Sequence, residues 1–94
     1  MIASNGEQYT ELDDVTIVAY LHCRGHDFEA VDDGNKRVIF RVFGDDIDQH
    51  IREMHEGYKV PVNYYLKSFK YVRGSLYNKK AELGAGREDK RYKY

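Results

Sequence analysis

Cysteine is nearly missing from this chain. Cys23 stands alone, so no internal disulfide can form, which fits a reducing compartment, with the cytoplasm as the default. There is no run of about 18 apolar residues of the kind that spans a bilayer. The opening residues, Met1 to Glu7, lack the basic and apolar regions of a secretory signal. No membrane partner is expected.

The common signatures of catalysis are missing too. The chain has no Gly-rich phosphate loop, no His-Glu-x-x-His, no paired-Cys zinc pattern and no Gly-x-Ser-x-Gly. The nearest approach to a metal site is the run from His22 to His26. Cys23 and His26 there have a plausible ligand spacing, but a structural zinc needs four ligands and usually more than one thiolate. His50 and His55 lie five apart, about 140° around a helix, and do not share a face. Asp45, Asp46 and Asp48 read as helix-capping residues, and Asp32-Asp33 before Gly34 as turn chemistry. No metal, no cofactor and no catalytic residue is expected, so the reading is non-enzymatic.

What the chain does have is a long amphipathic stretch. Residues from Val60 to Lys80 read as one helix, with Val62, Tyr65, Leu66, Phe69, Val72 and Leu76 on an apolar stripe. The opposite face carries Asn63, Tyr64, Lys67, Lys70, Tyr71, Gly74 and Asn78. Two tyrosines one heptad apart between lysines are unusual for a merely solvated face. Tyrosine offers flat amphipathic contact area at low entropy cost, and lysines can meet phosphates while aromatics stack on unpaired bases. Gly74 costs about 1 kcal/mol relative to Ala in a helix interior, and its absent side chain could let a ligand or another backbone approach. Tyr64, Lys67, Lys70, Tyr71, Gly74, Tyr77, Lys79 and Lys80 form the candidate binding set. Arg87, Lys90, Arg91, Tyr92, Lys93 and Tyr94 extend the composition. The competing reading is that these tyrosines cover the edge of the core or meet a symmetry mate.

Charge is divided along the chain. The net charge is −1, yet Met1 to His50 holds eleven acids against four Lys/Arg, and Ile51 to Tyr94 five against eleven. The halves therefore carry about −7 and +6, either complementing each other or turning the basic half toward a polyanion or acidic protein.

Ninety-four residues suffice for one domain, burying roughly 60–65% of the unfolded surface. Residues 1–8 read as a flexible arm, 9–80 as the domain and 81–94 as a flexible basic, aromatic tail. Thr10 with Asp13 predicts a helix start, and the first helix should run to about Arg24 with Gly25 as its stop. Val15 to Val18 is β-branched, but cap, stop and length favour helix. His26 to Asp32 and Arg37 to Phe43 read as strands joined by Asp33-Gly34-Asn35. The second has an apolar face of Val38, Phe40 and Val42. Its other face mixes Ile39 and Phe43 with Arg37 and Arg41, which suggests partial cover by the arm or a second subunit. A helix with Ile47, Ile51 and Met54 inward follows Asp45-Asp46 and ends at Gly57, and Pro61 suits the first turn of the long helix. The expected fold class is a small α+β domain of order α-β-β-α-α, a two-stranded antiparallel hairpin packed on helices. Its open edges allow extension by dimerisation.

The layout carries a resemblance. Tyr9-Thr10 at a helix start, the run Arg24 to Phe28, the strand Arg37 to Phe43, Glu56 to Val60, and Tyr65-Leu66, Phe69, Val72-Arg73 and Leu76-Tyr77 come in this order. From Tyr9 to Asn78 the chain resembles a family of small uncharacterised domains found in phage, prophage and other mobile-element gene sets. Val60-Pro61 departs from it, standing where a polar cap would be expected. The resemblance implies a mobile-element origin and the same element order, and brings no activity with it.

Together these readings lead to a phage or mobile-element accessory protein that binds nucleic acid through its last helix and tail, in the host cytoplasm. The alternatives are a protein-binding module, such as an inhibitor of a host or defence protein, and a structural homodimer.

Overall fold

The computed structural model describes residues 8–35 and 37–83. Its elements are β1 (Tyr9–Leu12), α1 (Val15–Cys23), β2 (Phe28–Asp32), β3 (Val38–Phe43), α2 (Ile47–His55) and α3 (Val62–Glu82). The fold is a small α+β domain in which three helices accompany one antiparallel sheet of order β1-β3-β2. No helix among the described residues is long and apolar enough to cross a membrane.

The expected first helix begins later than its cap signal suggested. Tyr9–Leu12 is a strand, with Thr10 and Leu12 opposite Val42 and Phe40 of β3. Its alternation carries Leu12 to the core while the backbone satisfies the edge of β3. Asp14, not Thr10, caps α1: one carboxylate oxygen accepts from the Thr16 amide at 2.9 Å and the Ile17 amide at 3.4 Å. The Thr16 hydroxyl donates to the same oxygen. That hydroxyl, and with it the two amides, outweighs desolvation and holds the Asp14 carboxyl below its ordinary pKa. Gly25, at φ +99°, stops the helix as expected.

The hairpin is therefore part of a three-stranded sheet, and the observed order is β-α-β-β-α-α. β3 lies in the centre, with both ladders occupied. On its second face Arg41 and Phe43 have partners on the neighbouring strands. Arg41 lies between Glu11 (3.3 Å) and Glu29 (3.8 Å) and over the Tyr9 ring, 4.9 Å from its centroid. Tyr9 meets Phe43 edge-on at 6.1 Å. Arg41 and Phe43 thus stand in cross-strand pairs.

The core joins Phe40 and Val42 of β3 to Val18, Ala19, Tyr20 and Leu21 of α1, Ile47 of α2 and Val72 of α3, with Leu12, Phe28 and Ala30 packed beside them. A histidine pair ties α2 to the sheet. His26 Nδ1 lies 2.8 Å from the Phe43 carbonyl, which can only accept, so this nitrogen donates. In the neutral ring Nε2 then accepts from His50 Nδ1 at 2.8 Å. The close ring also explains Gly44, where a Cβ would stand 2.6 Å from His26 Nδ1 on a backbone at φ +134°. Asp46 occupies the N-cap position of α2 but makes no side-chain cap bond. Pro61 stands one residue earlier than expected, as the N-cap of α3, with its carbonyl accepting from Tyr65 N at 3.0 Å.

Candidate basic face of the last helix

α3 runs along α1 and β2, so one side of it is fixed and the other is open. The buried side differs from the expected stripe. Val72 is fully buried, and Tyr65, Phe69 and Leu76 pack against the core. Val62 and Leu66 instead are 70% and 51% exposed. Ser68, which the expected stripe did not include, is only 7% exposed. The buried line is turned by about 35°, a third of one residue step. The cause is the α1 contact: Ser68 Oγ is 2.9 Å from His22 Nδ1, and a small side chain there lets the two backbones approach. The Tyr65 hydroxyl completes the junction by donating to the Thr16 carbonyl at 3.2 Å. Burial, aided by the charge of Asp14, pushes the Tyr65 phenol pKa up.

The outer side holds most of the expected set. Asn63, Tyr64, Lys67, Lys70, Tyr71, Gly74 and Asn78 are all exposed, and Tyr64 and Tyr71 retain 58% and 59% of their surface. At 100° per residue Lys67, Lys70 and Gly74 form the middle of this side, and Tyr64 and Tyr71 its flank toward α1 and β2. Tyr71 is exposed yet held: its ring lies 5.2 Å from that of His22 and 5.4 Å from that of Phe28.

The remaining three candidates stand differently. Tyr77 is half-buried, with Arg73 and Lys80 each 5.8 Å from its ring centroid, one on the preceding turn and one on the next. Lys79 turns away to the inner flank and pairs with Glu82 at 3.2 Å, so it does not join the face. Residues 87–94, named with this set in the sequence, lie outside the described residues.

The structure adds Arg73 and brings in Asn78 from the expected outer face. With Lys70, Gly74 and Tyr77 they line an open groove of about 630 Å³ on the outer side of α3. Spacing alone could have found Arg73, three residues from Lys70 and four from Tyr77. Over its whole length α3 carries Lys67, Lys70, Arg73, Lys79 and Lys80 against the single acid Glu82. A Cβ built on Gly74 meets no atom within 4 Å, so packing within the described residues does not require glycine. A second, more apolar groove of about 340 Å³ lies where α1, α2 and the start of α3 meet, lined by Thr16, Tyr20, Met54, Val60, Val62 and Tyr65.

Among the described residues no three His, Cys, Asp or Glu side chains are grouped to hold a metal ion. Comparison with protein-family models, curated proteins and solved structures gave no match.

Proposed function

We propose that the outer side of α3 is a contact surface for nucleic acid, with Lys67, Lys70 and Arg73 supplying phosphate contacts around Gly74. The observation that carries this reading is Gly74 itself. A mid-helix glycine costs about 1 kcal/mol relative to Ala, and here nothing among the described residues gives a steric reason for it. A bare stretch of helix between cations suits a polyanionic backbone coming close. The five-to-one excess of cations over acids along α3 supports the same partner through counterion release. The role is non-enzymatic. The mobile-element origin implied by the family resemblance, and a place in the host cytoplasm, belong to this reading.

Salt dependence and charge reversal test it together. The parent protein should be retained on DNA or RNA at about 50 mM salt and released as salt rises. Lys67→Glu with Lys70→Glu should abolish retention while leaving thermal unfolding nearly unchanged, since both side chains are exposed. A parent protein that is not retained at low salt overturns the proposal.

A second reading has its own observation. Val62 and Leu66 stand exposed beside the apolar groove that Tyr20, Met54, Val60 and Tyr65 line, and such a patch suits a protein partner. A host protein or a second copy of this chain would fill it. Stoichiometric capture of one protein, insensitive to nuclease and lost in Leu66→Asp, would favour this reading. Solution mass would identify the homodimer.

A further inference from the structure

We infer that the nucleic acid α3 meets is single-stranded, and that Tyr71 is the platform on which one unpaired base stacks. This rests on the nucleic-acid reading above and gives it a substrate class.

The argument begins in the core. Phe40 is 1% exposed. Phe28 meets it edge-on, with centroids 5.8 Å apart and planes at 70°. His22 meets Phe28 in the same way at 5.6 Å and 84°, and its Nδ1 is fixed 2.9 Å from the Ser68 hydroxyl. Tyr71 rests on both, tilted 45° to His22 and at 70° to Phe28. A series of rings thus leads from the centre of the fold to a side chain that is still 59% exposed.

An exposed tyrosine with free rotamers would lose entropy on being covered. One already braced by two rings has given up most of that freedom on folding, so contact with it is pre-organised. Packing on His22 and Phe28 leaves more than half of the Tyr71 surface in water. Tyr77 is a poorer platform, because Arg73 and Lys80 already lie near its ring.

The surroundings of Tyr71 select the ligand. Lys67 is one turn before it, Lys70 adjacent and Gly74 the next turn on, all exposed. Aromatic faces interleaved with cations are the means by which proteins hold unpaired strands: bases stack on the rings, and phosphates follow the cations. In a duplex the base faces are already stacked on one another, so the Tyr71 ring would gain nothing. Gly74 leaves room beside the ring for the sugar-phosphate chain to pass close to the helix.

The test uses the full chain, a fluorescent oligothymidylate of about 12 nucleotides and its duplex with oligodeoxyadenylate, at about 50 mM salt. Anisotropy should show tighter binding of the single strand. Tyr71→Leu should weaken single-strand binding by about 5- to 100-fold and duplex binding by less than about twofold, whereas Tyr71→Phe should keep the preference. Lys67→Glu with Lys70→Glu should weaken both ligands. Circular dichroism of each variant verifies that the fold is kept. Equal binding of the two ligands, or a Tyr71→Leu protein as tight as the parent, overturns the stacking inference. If the lysine variant still loses binding in that case, the broader reading stands. Binding of neither ligand, or a lysine variant that binds like the parent, overturns both and leaves α3 to a protein partner.

Discussion

α1 buries four consecutive residues, Val18, Ala19, Tyr20 and Leu21, whereas α3, more than twice as long, fully buries only Ser68 and Val72. A helix buried on all sides has its composition dictated by packing. A helix fixed along one side leaves the other free of that demand, so the cations and the glycine on the free side call for a reason outside the core. The contrast separates residues that make the fold from residues the fold merely displays.

The sharpest way to break this comparison is to exchange the expected losses. Leu21→Ala, at a fully buried position between α1 and β3, should cost about 2–5 kcal/mol in denaturant unfolding. Lys67→Glu with Lys70→Glu should shift unfolding by no more than about 0.5 kcal/mol while removing binding. An α3 charge reversal as damaging to stability as the core truncation would mean that the helix is not divided in this way.

A smaller effect concerns the junction between β1 and α1. Asp14→Ala should cost about 1 kcal/mol, the usual value of an N-cap. Because the folded carboxyl has a pKa below the ordinary value of 3.8, its contribution is fully present above that value and is lost as pH falls through the lowered one. Parent and variant should therefore differ at neutral pH and converge in acid. A gap that stays constant down to acid unfolding would show that the carboxylate is not the stabilising group.

The elements themselves were largely legible in the chain. Asp33-Gly34-Asn35 between β-prone runs marked the hairpin, Gly25 and Gly57 marked helix ends, and the period of α3 marked the helix to within two residues at each end. Two local signals misled, each for a physical reason. Thr10 with Asp13 resembles a cap, but Thr10 and Leu12 also alternate with Tyr9 and Glu11, and pairing with β3 decided for a strand. Leu66 is apolar and Ser68 polar, yet the hydrogen bond between Ser68 and His22 places the serine inside. Contacts distant in sequence, such as His26 with His50 or Tyr71 with Phe28, left no local periodicity to read. The exposed side of α3 was legible because exposure at 100° spacing needs no knowledge of partners. The groove formed with Arg73 and Tyr77 depended on side-chain placement.

The smallest structural change gives the most direct test of whether the outer side of α3 serves a partner and not the fold. Gly74→Ala adds a methyl group where no atom of the described residues lies within 4 Å and should raise stability by about 1 kcal/mol through helix propensity. Thermal unfolding and oligonucleotide anisotropy measured on this one variant should show a higher midpoint together with weaker binding. Unchanged or tighter binding, or a lower midpoint, would contradict the account.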